Sequence, residues 1–319
     1  MRKLLLVLLL LLIPLPALAD LEARFLDVGH GDCTIIICDG EAMVIDGGDE
    51  RNSDKLYSVL QGLGIKELKY AVATHPQVDH VGGLTAIFYA TTVKTLYAPV
   101  TEYANDRFEM LMDKATINNV PVVVPTPGDT LSLGGATIRV LAPIKQYKDV
   151  NDMSIVLRLD YGEHSFLFTG DAGKSVERDM LDAVSDLDVD VLKVAHHGGN
   201  SASSENFISA VSPRYAIISC SSRYDNPDEE VLSALYSQHF ASIIRTDVNG
   251  DIIAYSDGEK LIFSAESFYV GNVNTEVFHR STCASVAKMK EDNKSIFYTT
   301  EQAEQKGYRP CKNCSPKAK

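Results

Sequence analysis

Three short apolar, β-branched runs in this 319-residue chain each end in residues that ligate metals, and this constrains the fold more than any other feature. The first leads into Thr74-His75-Pro76-Gln77-Val78-Asp79-His80-Val81-Gly82-Gly83, the second into Thr169-Gly170-Asp171, and the third into Ala195-His196-His197-Gly198-Gly199. A strand sends successive side chains to opposite faces, so one strand contributes few ligands to a single point. A metal cluster built from these residues therefore requires several strand ends side by side. Taken singly, each has a plainer reading: His-His-Gly suits a surface turn, and Thr-Gly-Asp suits a cap between strand and helix. Together they supply the imidazole nitrogens and carboxylates that a catalytic divalent ion takes, with a position left for water.

Apolar alternation predicts strands at 22–28, 33–38, 42–46 and 69–74, with a helix after Asn52-Ser53-Asp54. A second helix is expected to open at Gly82-Gly83, just past His80. Residues 106–118 have helical composition, and Pro121, Pro125 and Pro127 break the chain before strands at 130–141 and 154–169. A helix over 173–184 follows Asp171, and the run 189–194 leads into His196 and His197. Later strands near 215–220, 242–246, 252–256 and 260–264 are expected to complete a second sheet.

The chain opens Met1-Arg2-Lys3, continues through an apolar run from Leu4 to Leu12, and reaches Ala17-Leu18-Ala19 before Asp20. A charged start, a short apolar stretch and an A-x-A site make residues 1–19 a predicted secretory signal peptide. The run is shorter than the ~20 apolar residues of a transmembrane helix. No second such run follows, so the mature chain is expected to have no stable membrane span and to be secreted or extracytoplasmic. Net charge is −13, unevenly spread: residues 20–270 hold 19 Lys and Arg against 38 Asp and Glu, residues 271–319 hold 9 against 5. An acidic domain does not draw polyanions over long range, although bound cations reverse the local field, so the basic tail is the better candidate for DNA contact. Cys33 and Cys38 point to opposite faces of one extended run, beyond disulfide reach, and with Cys220 they read as small buried residues.

The tail begins Phe268-Tyr269-Val270-Gly271-Asn272-Val273-Asn274, whose Gly and Asn suit a linker or turn. His279 and Cys283 are followed, after 27 intervening residues, by Cys311 and Cys314. Two close pairs of soft or borderline ligands predict structural zinc, which substitutes for the core that so short a module cannot build.

In this order the motifs resemble the metallo-β-lactamase superfamily. The stretches Phe25-Leu26-Asp27-Val28-Gly29-His30-Gly31-Asp32, Met43 to Gly48, Asn151 to Leu159 and Arg245 to Ile252 are similar to the lactamase-like domain of ComEC-type DNA-uptake proteins. The resemblance implies an αββα sandwich over residues 20–266. Residues 267–319 resemble the metal-binding domain of the Ada DNA-repair protein, where four cysteines hold zinc and one accepts a methyl group from DNA. His279 stands at the first ligand position here and offers no thiolate, so methyl transfer is not expected. DNA contact through Lys288, Lys290, Lys294, Arg309 and Lys312 competes with their plain reading as solvated charge.

The superfamily pattern His-x-His-x-Asp-His becomes His75, Gln77, Asp79, His80, which exchanges one imidazole for a weak carbonyl donor. Asn226-Pro227 stands where such domains often have His before Pro. The implied ligands are His75, Asp79, His80, Asp171, His196 and His197, for one or two ions, with Asp171 placed to bridge. Its oxygen content brings manganese into contention with zinc. Candidate catalytic residues are Asp79, Asn151 and Lys193, the latter two, like Ser154, orienting or neutralising a phosphate unless they are merely a turn former and a strand-end charge. Asp27 and Asp46 are expected to support neighbouring loops or ligands. His30, His164 and His239 fall outside the clusters and read as surface or structural. The expected function is an exported metal-dependent hydrolase, a phosphodiesterase or nuclease acting on DNA through metal-activated water. The alternatives are a catalytically degenerate DNA-binding or competence-associated protein, and a hydrolase of a small lactam or thioester.

Overall fold

The computed structural model describes residues 21–221, 223–237, 242–264, 269–280, 283, 285–290, 293–297 and 300–314. The predicted signal peptide, the boundary at 266/267 and His239 lie outside the described residues.

Strands β1 (Leu21–Phe25), β2 (Thr34–Cys38) and β3 (Glu41–Ile45) form an antiparallel meander. Asp39 and Gly40 turn the second hairpin with φ of 51° and 81°, the signs that a two-residue type I′ turn requires. Helix α1 (Ser53–Gly62) then leads to β4 (Glu67–Leu68) and β5 (Tyr70–Val72), and β5 lies parallel to β3. Helices α2 (Val78–Val81) and α3 (Ile87–Ala90) precede β6 (Thr92–Val93) and β7 (Leu96–Tyr97). Helix α4 (Asp106–Ile117) starts where Asn105 Oδ1 accepts the amides of Arg107 and Phe108, and it leads to β8 (Val122–Val123).

The second half repeats the plan. Strands β9 (Thr130–Leu133), β10 (Ala136–Ala142), β11 (Val156–Tyr161) and β12 (His164–Phe168) form a meander. Then α5 (Lys174–Ala183), β13 (Val191–Lys193), α6 (Glu205–Val211), β14 (Tyr215–Ile218), α7 (Glu229–Ser237) and β15 (Ser242–Arg245) alternate, each strand parallel to its predecessor. After α8 (Thr246–Asn249) come β16 (Ile252–Ser256) and β17 (Leu261–Phe263). The sheets run β17-β16-β1-β2-β3-β5-β7-β8 and β15-β14-β13-β12-β11-β10-β9.

Three apolar layers hold this αββα sandwich together. Phe25, Ile36, Met43 and Val72 of one sheet meet Leu157, Phe166, Phe168 and Ile217 of the other, while Leu56, Leu60, Phe108 and Leu111 cover the first sheet outside. Val176, Met180, Phe207 and Leu235 cover the second. Each fully buried Leu or Phe contributes about 1.5–3 kcal/mol. Cys33 packs in an outer layer and Cys38 between the sheets, and both are free thiols like Cys220.

Three expectations are corrected. Strands β16 and β17 do not extend the second sheet; β16 pairs with β1, Leu21 opposite Ser256 and Phe25 opposite Ile252. Its alternation turns Ile252 and Ala254 into the inter-sheet core, and a period of two is the same whichever sheet edge receives a strand. Helix α2 begins at Val78 rather than at Gly82-Gly83, so it carries Asp79 and His80 itself. The glycines serve close approach instead: a Cβ on Gly83 would fall 2.2 Å from the carbonyl oxygen of Gly47. Helices α6 and α7 had no sequence expectation at all, although Ser204, whose Oγ accepts the Phe207 amide, is an ordinary cap signal.

The third correction lies in the tail, where β18 (Tyr269–Asn272) is a strand rather than a linker. It sits inside a sheet ordered β20-β18-β19-β21, with β19 (Val277–Arg280), β20 (Lys294–Phe297) and β21 (Arg309–Pro310), and α9 (Thr300–Gln305) beside it. A Cβ on Gly271 would lie 2.5 Å from the Phe297 ring and 2.6 Å from the Tyr308 ring, so this glycine admits aromatic packing rather than flexibility. Phe278, Phe297 and Ala303 form the small core.

Candidate metal centre

The ligand-bearing segments converge because β5, β12 and β13 deliver their following residues to the same end of the sandwich. His75 follows β5, His80 sits on α2, Asp171 follows β12, and His196 and His197 follow β13. Asp171 Oδ2 lies 3.3 Å from His80 Nε2, 3.7 Å from His197 Nε2, and 3.9 Å from the Nε2 atoms of both His75 and His196. Both Asp171 oxygens and the Nε2 atoms of His75, His80 and His197 are buried without any hydrogen-bond partner. A buried carboxylate left this way costs several kcal/mol unless a cation compensates it. These residues thus fit a divalent ion.

The rings are oriented from behind. His80 Nδ1 donates to Asp46 Oδ2 at 2.8 Å, and Asp46 also accepts the Thr74 amide at 2.8 Å and the Thr74 hydroxyl at 2.7 Å. His75 Nδ1 lies 3.1 Å from Thr74 Oγ1, whose proton goes to Asp46. His197 Nδ1 donates to the Ser219 carbonyl at 3.0 Å. Each arrangement holds a proton on Nδ1, so that Nε2 is the nitrogen a metal would take, displacing any proton there. His196 and His197 have φ of 49° and 53°, consecutive left-handed conformations that cost about 1–3 kcal/mol each and are retained mostly where function needs them.

Asp79 faces a second cluster. Its Oδ2 lies 3.4 Å from His197 Nε2 and 3.6 Å from His30 Nε2. Among the described residues the ligand atoms of His75, His80 and Asp171 lie within 4.8 Å of one another, and so do those of His30, Asp79 and His197. Asp32, Asp46 and His80 make a further close group. Its charges are already met, since Lys193 Nζ sits 2.7 Å from Asp32 and Asp46 is fully hydrogen-bonded.

Protonation reflects the same crowding. Burial disfavours the His80 imidazolium, but Asp171 and Asp46 outweigh it and raise its pKa well above the usual value. Burial likewise opposes the His197 charge, and Asp171, Asp32 and Asp79 raise its pKa to about 9. His75, buried beside His80, is lowered to about 4. Against burial, His80 and His197 hold Asp171 well below the carboxylate range, and His197 and His80 lower Asp79 to about 2. Imidazolium charge here does what a metal cation would do.

The candidate ligands His75, Asp79, His80, Asp171 and His197 are thus brought together, with His196 at the rim, its side chain 29% exposed. Lys193 is 2% exposed and locked onto Asp32, so its charge is neither solvated nor turned to the surface. Asn151 heads the short 3-10 turn Asn151–Met153, and its Oδ1 is buried without a partner. Ser154 Oγ accepts the Asp171 amide at 3.0 Å. Gln77 is the N-cap residue of α2, and Asn226 lies beside Gly199. His164 is buried near Asp190. His30, set apart on sequence grounds, belongs to the site; its place in the loop after β1, directly before Gly31-Asp32, is a signal visible only once that loop is known to reach α2.

In the tail the ligand atoms of His279, Cys283, Cys311 and Cys314 lie within 4.8 Å of one another. The Cys311 amide donates to Phe278 O at 2.8 Å, which docks the second ligand pair against β19, and His279 Nδ1 is buried without a partner. Two pairs so held fit tetrahedral zinc.

Residues 26–222 match the metallo-beta-lactamase superfamily, and residues 260–317 match the metal binding domain of Ada. ComE operon protein 3 of Bacillus subtilis is 29% identical over 252 residues, covering 72% of this chain and 32% of that protein. Recombination protein 2 of Haemophilus influenzae is 28% identical, covering 71% and 28%. Competence protein ComA of Neisseria gonorrhoeae is 25% identical, covering 70% and 30%. The chain spans about a third of the length of these curated relatives. With strand-end ligands converging as described, the chain belongs to the metallo-beta-lactamase superfamily and carries a C-terminal metal binding domain of the Ada type.

Proposed function

We propose that this protein is a metal-dependent hydrolase that cleaves phosphodiester bonds in DNA outside the cytoplasm, using zinc or manganese, one or two ions. The carrying observation is the set of buried imidazole nitrogens without hydrogen-bond partners around the partnerless Asp171 carboxylate. A divalent ion held there supplies Lewis acidity toward a phosphoryl oxygen and lowers the pKa of a water to about 7. The chain's own residues do the rest. Asp46 and the Ser219 carbonyl keep ring protons away from the ion, and Lys193 neutralises Asp32 behind His197. A cleft of about 660 Å³ opens at His30 and Asp79, with Arg51, Arg223 and the 54% exposed Tyr224 along it. A guanidinium meets a phosphate and a phenol ring stacks a base.

DNA is favoured over a lactam or thioester by the relatives' names, a recombination and a competence protein. The pattern of residues 1–19 supports export; among the described residues no helix is long and apolar enough to cross a membrane. The basic tail acts as a zinc-stabilised accessory that contacts DNA, since the large domain is acidic. Gln77 at a helix cap and Asn226 at the rim favour a second reading, a binding protein without turnover. The deciding experiment is Mn²⁺- and Zn²⁺-dependent cleavage of single- and double-stranded DNA, beside an Asp79→Ala, His80→Ala double variant. Cleavage lost in the variant supports the nuclease; no cleavage by either protein refutes it.

A further inference from the structure

Tyr224 is a large aromatic that none of the apolar layers uses. Tyr57, Tyr89 and Tyr236 are exposed as well, but among the described residues Tyr224 alone of these four lines the cleft at His30 and Asp79. One of its faces is taken: the His30 ring lies 4.3 Å away at an interplanar angle of 33°, and His30 in turn lies 4.3 Å from the His197 ring. Three rings thus step outward from the metal centre, and Tyr224, at the end of the row, remains 54% exposed. His30 Nε2 is 3.6 Å from Asp79 Oδ2, so a single imidazole separates the phenol from the ligand cluster.

The segment that carries the ring is pinned on both sides. Before it, the Cys220 amide donates to Thr246 Oγ1 at 3.1 Å, and the Cys220 carbonyl accepts from that hydroxyl at 3.2 Å. The Tyr224 amide donates to Ser221 O at 3.1 Å and closes a turn. After it, the Asp228 amide donates to Gly198 O at 2.9 Å, while Asp228 Oδ2 accepts the Asn200 amide at 2.7 Å. A platform ordered in advance lowers the cost of binding. Charge around the ring is sorted too. Asp49 holds Arg51 at 2.8 Å and Asp247 holds Arg245 at 2.7 Å, whereas Arg223, exposed and adjacent to Tyr224, forms no ion pair among the described residues.

We propose that Tyr224 is the stacking platform for the nucleobase next to the scissile phosphate, with Arg223 meeting a neighbouring backbone phosphate, so that the cleft takes an unpaired strand of any base sequence. An aromatic ring stacks on every base, and a guanidinium on phosphate reads no sequence. Inside a duplex both faces of each base are covered by the adjacent pairs, and uncovering one costs stacking and pairing energy. The proposal rests on the reading above that the metal centre cleaves phosphodiesters.

The test uses the full chain loaded with Mn²⁺ and two single DNA strands, one ordinary and one with tetrahydrofuran abasic residues in place of every base. Phosphorothioate versions, which resist hydrolysis, give affinity by fluorescence anisotropy, and ordinary linkages give KM and kcat. Wild type is expected to bind the base-bearing strand about 5–150-fold more tightly than the abasic one, the worth of one stacked base. Tyr224→Ala should lose that discrimination, with the loss in KM rather than kcat, and Tyr224→Trp should keep it. A closed duplex circle should bind wild type and Tyr224→Ala alike. Arg223→Gln should weaken both single strands and reduce the slope of log affinity against log salt by about 0.7. Discrimination by Tyr224→Ala within ~2-fold of wild type overturns the platform, and an unchanged salt slope overturns the Arg223 contact. Either result, with cleavage by wild type intact, leaves the hydrolase reading standing. Discrimination that depends on Tyr224 without cleavage of any strand supports the base subsite and overturns the hydrolase.

Discussion

Asp46→Asn changes one atom in a fully buried network and is expected to move a proton at the metal centre. Asp46 has φ 58°, a left-handed backbone that Asn tolerates nearly as well, so shape and backbone are preserved. The carboxylate accepts three donors: Thr74 N on Oδ1, and Thr74 Oγ1 and His80 Nδ1 on Oδ2. The Thr74 amide cannot turn, so the Asn oxygen stays on it and the NH₂ faces the hydroxyl and the imidazole. Thr74 can reverse its hydroxyl, but His80 Nδ1 must now accept. In the neutral ring that a ligand must be, the proton then sits on Nε2, the atom 3.3 Å from Asp171 that would ligate the ion. Losing such a supporting partner costs about 10–100-fold in metal affinity, about 1.4–2.7 kcal/mol. Exchanging a charge-assisted bond for a neutral one lowers metal-free stability by about 1 kcal/mol more. Competition of zinc against a fluorescent chelator measures the first quantity and denaturant melts the second, while nitrogen NMR of the imidazole reads the tautomer. Affinity within ~3-fold of wild type, under 1 kcal/mol, would refute the reasoning.

Three further outcomes are expected. Metal-free protein should melt highest near pH 6.5: His197, raised to about 9, loses its stabilising charge as pH rises from 6.5 toward 9, and His75, lowered to about 4, must take up a disfavoured proton as pH falls from 6.5 toward 4. A melting temperature flat across that range contradicts the assignment. Gly31→Ala should destabilise the fold by about 1–3 kcal/mol and weaken metal binding, because φ 134° and the 2.3 Å approach to Asp79 O leave no room for a methyl; an unchanged urea midpoint contradicts it. Cys311→Ser should lose the tail's zinc and speed hydrogen exchange over residues 269–314 but not over 21–264, whereas retained zinc removes Cys311 from the ligand set.

Much of the architecture was readable before any coordinates. The β-branched runs became strands within a few residues of their expected bounds, α1, α4 and α5 followed their local signals, and His75, Asp79, His80 and Asp171 stood in motifs at strand ends. Local propensity and short spacing carry that information, and both are properties of neighbouring residues. The Cys and His pairs of the tail belong to the same class, since four ligands in two close pairs leave few alternatives.

What depended on the tertiary structure involves residues far apart in the chain. β16 joins β1 across more than 200 residues, because the open edge of the first sheet and the buried face of Ile252 and Ala254 select each other, which periodicity cannot express. Lys193 has the composition of a solvated strand end but becomes the buried counter-ion of Asp32, 161 residues earlier. Gly271 looks like a linker residue until Phe297 and Tyr308 are seen to pack on it. His30 lies outside the ligand motifs, and only the contact of its loop with α2 brings it to Asp79. The sequence alone determined which residue types were present to hold ions and which stretches of chain form the strands that bear them. Folding decided which of them meet, because burial, charge compensation and ring orientation depend on neighbours in space rather than in sequence.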